Sequence, residues 1–395
     1  MVDASAQQAG DAREAAGQAS SPPAANVSAS TAGYMAAVVI FGTILHPELK
    51  AFYGRGYGHM KNTVSALDMV FAVLALIGAR IVAAQVSRGL HIRTAIRTRR
   101  SLGPLLRWAA PPGIFVFLVI TLSTWANYLS YEAYALMGPA ELVFVYLFAR
   151  CLHSEEKRRR LRSDLPMLGA TALGTLLLAV ASVTNSSSHA GNSLEAQQML
   201  LAVLAALLCR ACQALMTVTL RSCCLKLQGT EGPACSVMEI TQWKLCVTAL
   251  LCVPYALLTE GTEPWRALCS REFWADSTAS GLLLGSIAIT LAFQASVVGA
   301  NSGLRSPVVA VMMGTLQPLA GIMLALSLAT TPLAAALQLK HFQPSPLSIC
   351  GASLLMIGLL LHALERLREV RAQNDEQQRQ PGAESAISLN RPLAS

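Results

Sequence analysis

ITLSTWANYLSYEAYALMGP, residues Ile120–Pro139, has a counterpart in the second half of the chain, ITLAFQASVVGANSGLRSP, residues Ile289–Pro307. Thr121 aligns with Thr290, Trp125 with Gln294 and Glu132 with Asn301, and Pro139 aligns with Pro307 after a shift of one residue. On a helix, Thr121, Thr124, Trp125, Tyr128 and Glu132 fall at i, i+3, i+4, i+7 and i+11, a polar stripe on an otherwise apolar rod. The counterpart carries its own stripe, Thr290, Gln294 and Asn301. Two matching stripes in two halves of a hydrophobic chain predict a duplicated transporter whose cavity lies between the repeats.

The composition agrees with a polytopic membrane protein. Of 395 residues, 53% are hydrophobic and only 13% charged, with a mean hydropathy of +0.47. That is more apolar surface than a soluble domain buries. The net charge of +8 does not point to nucleic acid, because Lys and Arg fall in short clusters between apolar runs. Most of the ten cysteines lie inside apolar runs and read as small hydrophobes rather than as a disulfide framework. The Cys209-x-x-Cys212 pair reads as helix packing, so no metal site and no cofactor is expected.

Apolar runs recur at Gly33–Leu45, Val64–Val86, Pro112–Met137, Ala140–Leu152 and Leu165–Val183. A second set follows at Met199–Leu220, Val237–Leu258, Ser280–Ala300, Val308–Leu328 and Leu347–Leu364. Most approach the ~20 residues needed to span a bilayer, while the first and fourth fall short. The predicted fold is all-α, with ten transmembrane helices in two five-helix repeats. An odd number of spans per repeat inverts one relative to the other. The predicted boundaries are a disordered cytosolic tail at 1–30, the first repeat at 31–185, a lumenal or extracellular loop at 186–197, the second repeat at 198–366 and a disordered cytosolic tail at 367–395.

Placing the 30 Lys and Arg residues on alternate sides of ten helices puts 21 on one side and six on the other, with Arg80, Arg210 and Lys244 inside helices. The larger set includes Arg221 and Arg305. This asymmetry predicts that both termini are cytosolic. Asn185, in the sequon Asn185-Ser186-Ser187, then faces the lumen or exterior as a glycosylation candidate. A smaller echo, Gly169-Ala-Thr-Ala-Leu173 against Gly351-Ala-Ser-Leu-Leu355, sits at the same ordinal place in each half.

These residues resemble the drug/metabolite transporter superfamily over roughly Gly33–Leu364. Ser123–Ala133, with Trp125 and Tyr131-Glu132-Ala133, is similar to the helix 3 segment of the nucleotide-sugar branch. Gly314-Thr-Leu-Gln317-Pro318, followed by Gly351–Gly358, is similar to the signature of EamA-type permeases. The resemblance implies a cavity lined by helices 1 to 4 and 6 to 9, with helices 5 and 10 peripheral and a homodimer possible. It also implies a Golgi or other endomembrane location ahead of the plasma membrane or a plastid envelope. The chain departs from the GDP-sugar carriers, whose Gly-Ala-Leu-Asn-Lys motif is replaced here at Gly314–Pro318, so guanine-nucleotide recognition is disfavoured. The insertion Thr330–Phe342 holds no carboxylate.

Charges inside a bilayer cost ~2.5–3.5 kcal/mol near a helix centre, so each needs a reason. Arg210 shares a helical face with Gln213 and Thr217, and Lys244 with Thr241 and Thr248. Arg210 reads as a substrate or gate residue, or as the structural partner of a carboxylate. Lys244 and Arg80 read either as functional or as snorkelling to the interface. Asp68 and Glu239 read as helix-start anions. Glu132 and Glu141 are candidates for coupling or for pairing with a buried Arg.

The expected substrate-contact set is Thr121, Trp125, Tyr128, Glu132, Arg210, Gln213, Lys244, Gln294, Asn301 and Gln317. Arg80, Glu141 and Arg305 are the gate or coupling candidates. Embedded cations suit a phosphate-bearing solute. The leading expectation is therefore a carrier of a nucleotide sugar or phosphorylated metabolite by exchange. The alternatives are an EamA-type exporter of a neutral or amino-acid-like metabolite, or a non-transporting scaffold or receptor. No enzyme motif is present: H-E-x-x-H, a Walker loop and G-x-S-x-G are all missing.

Overall fold

The structure is a computed structural model. It describes residues 29–54, 56–89, 102–129, 134, 137–138, 140–153, 165–177, 180, 193–228, 235–304, 307–308, 311, 346–347, 349–351, 353–354, 356–358, 360–361 and 364. Glu132, Asn185, Arg305, Gln317, most of Val308–Leu328 and nearly all of both tails lie outside the described residues. So do the side chain of Tyr128 and the inserted Thr330–Phe342. The helical body belongs to Ala29–His362.

Among the described residues the chain is all helical. α1 is Ala29–Gly54, α2 Lys61–Gly89, α3 Leu102–Leu129 and α4 Ala140–Leu152. α5 is Leu165–Leu177, α6 Ser193–Gln228, α7 Val237–Glu260 and α8 Ser277–Gly303, and a further short apolar helix covers Ile349–Gly358. A single 3-10 turn, Tyr57–Met60, links α1 to α2; it is entered through Gly56, whose φ of 99° is left-handed and suits glycine. Short helices at Glu263–Leu268 and Arg271–Ala275 connect α7 to α8.

Five helices are long and apolar enough to cross a membrane: α2, α3, α6, α7 and α8. Their outward faces carry large apolar side chains, with Leu250 73% and Leu258 86% exposed on α7. On the same helix Thr241, Lys244 and Thr248 are buried. Apolar outside and polar inside is the pattern of a helix solvated by lipid tails rather than by water.

The boundaries differ from the sequence reading in two informative places. α3 starts at Leu102, not Pro112, and runs through Pro111 and Pro112. A proline forfeits one backbone hydrogen bond, and in a membrane helix bundle neighbouring elements make that tolerable. α6, at 36 residues, begins at Ser193, inside the stretch expected to be loop. By contrast α4 has 13 residues and is short, as its apolar run predicts.

α3 packs on α6, α1 on α8 and α2 on α7; α3 also meets α7, and α2 meets α8. Exchanging α1, α2 and α3 with α6, α7 and α8 converts the α3–α6 pair into α1–α8. The same exchange converts α3–α7 into α2–α8 and leaves α2–α7 unchanged. Helix–helix association in lipid relies on close packing, and glycines set it here. A Cβ on Gly299 would lie 2.5 Å from the Tyr34 ring, and one on Gly303 would collide with Thr31, so α1 rides directly on the Gly299-x-x-x-Gly303 face of α8. A Cβ on Gly113 would lie 2.7 Å from the Lys244 carbonyl oxygen and 2.8 Å from Val247 Cβ, where α3 crosses α7. Gly358 approaches Thr171 of α5 in the same way, at 2.7 Å from its Oγ1.

Gly299→Val is therefore expected to destabilise the fold by about 1–3 kcal/mol through overpacking. Gly281→Ala, on the same helix where an added Cβ meets nothing within 4 Å, is expected to be neutral or slightly stabilising. Thermal unfolding of the two purified variants in one detergent checks this.

Candidate functional site

A cavity of about 90 Å³ lies among α1, α3, α4, α6 and α8. Val38, Val116, Val119, Ile120, Met216, Phe293, Val297, Ala300 and Val311 give it apolar walls. Its polar groups are Glu141, Gln213, Thr217, Gln294 and Asn301. α2 and α7 do not line it; they pack beside it.

Each polar group arrives from a different local cause. Glu141 sits in the first turn of α4, where an anion is favoured by the helix dipole, and is 6% exposed. Gln213 and Thr217 lie one turn apart on α6, and the Thr217 hydroxyl donates to the Gln213 carbonyl at 3.1 Å. Gln294 and Asn301 share a face of α8 with the buried Thr290. Asn301 Nδ2 donates to the Val297 carbonyl at 2.9 Å, whereas Oδ1 is buried with no protein partner among the described residues.

The embedded cations are each committed elsewhere. Lys244 is fully buried, and its Nζ donates to Gln294 Oε1 at 2.7 Å, tying α7 to α8. It does not snorkel, because the crossing of α3 at Gly113 closes over it. Arg210 donates to Gln213 Oε1 at 2.9 Å and to the Tyr134 carbonyl at 3.1 Å, with its guanidinium 4.3 Å from the Tyr134 ring centroid. Among the described residues no ion pair within 4.0 Å joins Arg210 to Glu141. Arg221, counted as a loop cation in the sequence, is instead buried within α6. It donates to the Asn301 carbonyl at 2.7 Å and the Ser302 carbonyl at 3.4 Å, neutralising the negative C-terminal end of α8.

The α2–α7 pair is clasped at both ends. At one end, Glu260 of α7 accepts from the backbone N–H groups of Asn62 and Thr63 at 2.7 and 2.8 Å, capping the start of α2. The Thr63 hydroxyl adds a third bond at 2.7 Å. At the other end, Arg80 of α2 donates to Gln242 Oε1 at 2.7 Å and lies 3.6 Å from Glu239. Glu239 lies in the first turn of α7, as expected of a helix-start anion, with Ser236 as the N-cap, whose Oγ accepts from the Glu239 N–H at 3.1 Å. Asp68, by contrast, is not a helix-start anion. It lies well inside α2, is buried, and accepts from Ser286 Oγ of α8 at 2.8 Å.

The sequence-predicted set divides accordingly. Gln213, Gln294, Asn301 and Glu141 are brought together in the cavity wall, with Arg210 and Lys244 bonded to two of them. Thr121 is half-buried; its Oγ1 is buried and unpartnered among the described residues, but it does not line the cavity. Trp125 is 59% exposed on α3 and outside the lining, although its aligned residue Gln294 is in the wall. The two stripes are therefore not presented equivalently. The apolar wall and Tyr134 were not predicted; only their place beside the polar positions on the same helices hints at them.

No protein-family profile and no curated protein matches this chain. A solved structure described only as the crystal structure of a protein is similar, with 18% identity and a TM-score of 0.50, over 86% of this chain and 97% of its own. That likeness is one of fold.

If the Lys244–Gln294 contact joins α7 to α8 as described, Lys244→Met and Gln294→Leu each remove one partner of a buried charged hydrogen bond. Each is expected to cost about 1.5–3 kcal/mol, and the double variant less than the sum of the two. A double-mutant cycle on thermal unfolding measures the coupling.

Proposed function

We propose that the protein is a multi-pass membrane carrier that moves a small organic solute by alternating access, with two five-helix halves in inverted repeat enclosing the site. The single observation behind this reading is a cavity walled by helices from both halves, with Glu141, Gln213, Thr217, Gln294 and Asn301 on an otherwise apolar lining. A packing scaffold has no need of buried polar groups left open to a void, since each costs free energy in the apo protein. The exchange of pairings between α1–α3 and α6–α8 supports the inverted repeat, because two copies of one unit repeat their contacts across a common axis. Under this reading both termini are cytosolic, as the Lys and Arg asymmetry suggests.

Between the two substrate classes, the lining favours the neutral or amino-acid-like solute over a nucleotide sugar or phosphorylated metabolite. Arg210, Lys244, Arg221 and Arg80 are all bonded to protein acceptors, and none lines the cavity. Among the described residues the one ionisable side chain that lines it is the carboxyl group of Glu141, which offers a phosphate no positive charge.

Reconstitution into liposomes with counterflow measurements on a panel of small solutes tests the reading. Gln213→Leu is expected to reduce the initial rate about tenfold, the equivalent of one ~1.4 kcal/mol polar contact, while the protein remains monodisperse. Solute binding without flux by the wild type would assign the receptor reading instead.

A further inference from the structure

We infer that Lys244 is the residue through which the carrier takes up and releases a proton, and that Gln294 relays its charge state to the cavity. This rests on the carrier reading above and adds a coupling ion to it, whichever solute is carried.

The embedded cations differ in how fully they are compensated. Arg80 meets an amide and a carboxylate, Arg210 an amide, a carbonyl and an aromatic ring, and Arg221 two carbonyls. Lys244 is 0% exposed, and among the described residues it has one hydrogen bond, to Gln294 Oε1, and no carboxylate within 4.0 Å. An ammonium carries three donors, so two of them find no acceptor there.

The elements packed around Lys244 leave its charge unanswered. α6 brings the thiols of Cys223 and Cys224, with Arg221 already held on the end of α8. α3 crosses at Gly113, which has no side chain. α2 brings Arg80, paired with Glu239 of α7, and Asp68, which accepts from Ser286. α8 brings the Gln294 amide. A guanidinium keeps its proton at any physiological pH, whereas an amine gives one up where its charge is poorly held. Of these four cations Lys244 is therefore the one able to discharge. A neutral donor would tie α7 to α8 without the cost of an embedded charge.

The other end of Gln294 reaches the cavity wall, and among the described residues its Nε2 makes no hydrogen bond. While Lys244 is charged it only donates, so Oε1 stays on Nζ and Nε2 is offered to the solute. The neutral amine has a lone pair and can accept from Nε2, so the amide is free to turn and present Oε1 instead. In that step an N–H bond of the ammonium breaks and its electron pair stays on Nζ. The proton passes to a water admitted from the cavity as the Gln294 side chain moves. A solute oxygen that accepts from Nε2 thus favours the protonated form, and by linkage the proton favours that solute. Proton and solute travel together.

Two measurements on the full-length protein test this. In lipid nanodiscs with 15N-labelled lysine side chains, the Lys244 signal is the NMR resonance lost in Lys244→Met. It is expected to change from ammonium to amine within the pH range over which the protein stays folded, while the other lysines remain charged. Gln294→Leu, which removes the acceptor, is expected to weaken the proton affinity of Lys244 about tenfold. In liposomes holding a pH-sensitive dye, with glycine, serine and glucose as probes, entry of a transported probe is expected to acidify the interior. Lys244→Arg keeps a cation and a donor, and is expected to exchange the same probe with proton movement lost. Should that variant not fold, Lys244→Met is read in the same way.

A Lys244 signal fixed at the ammonium position, or probe entry without acidification, overturns the inference and leaves the carrier reading standing. Acidification that survives replacement of Lys244 places the proton on another group and overturns it too. Proton affinity unchanged in Gln294→Leu overturns the relay. A Lys244 that titrates with no flux of any probe overturns the carrier reading and keeps the proton site.

Discussion

The contact of α1 with the Gly299-x-x-x-Gly303 face of α8 is the constraint on which the site depends. Between helices in a bilayer there is no gain from burying oil in oil, so the free energy of association comes from how closely two backbones approach and what their side chains then meet. Removing Cβ at Gly299 and Gly303 lets the Tyr34 ring and Thr31 lie against the α8 backbone. With that arc of α8 covered by α1, the arc carrying Gln294, Val297, Ala300 and Asn301 turns into the space between α3 and α6. The polar wall of the cavity follows from where two glycines put the helix.

A second constraint is the cost of charge away from water. Every embedded cation described here has found an oxygen: Lys244 on an amide, Arg210 on an amide and a carbonyl, Arg221 on the carbonyls at the end of α8, Arg80 on an amide with a carboxylate nearby. Arg80 and Arg210 reach across the length of the chain, to Gln242 and to Tyr134, whereas Lys244 ties α7 to α8 and Arg221 ties α6 to α8. Their commitment also shapes the chemistry of the cavity. Positive charge that would have welcomed a phosphate is spent on structure, and among the described residues the polar part of the lining is left with Glu141 and uncharged side chains.

The clasp between α2 and α7 shows how one crossing is held by unlike chemistry at its two ends. A carboxylate at the end of α7 caps the start of α2, where free N–H groups and the helix dipole both favour it. A guanidinium near the other end of α2 reaches the first turns of α7. The two ends of one crossing thus use unrelated residue types, and matching two stretches residue by residue is equally unreliable for side-chain direction. Trp125, which aligns with Gln294 of the cavity wall, is 59% exposed.

Sequence alone determined that the chain is helical and apolar, with polar groups gathered on particular faces of α6, α7 and α8. Those features are local, set by the 3.6-residue period and by the scarcity of charge, and they need no knowledge of neighbours. Four of the cavity's polar groups, Glu141, Gln213, Gln294 and Asn301, were legible for that reason. The start of α3 was not, because two prolines inside a helix are acceptable only when surrounding helices support the backbone they interrupt. The fates of Lys244, Arg221 and Asp68 were likewise decided by tertiary structure. Whether an embedded charge snorkels, caps a helix or bridges two of them depends on which backbone crosses over it, and that crossing is fixed by glycines far away in the chain.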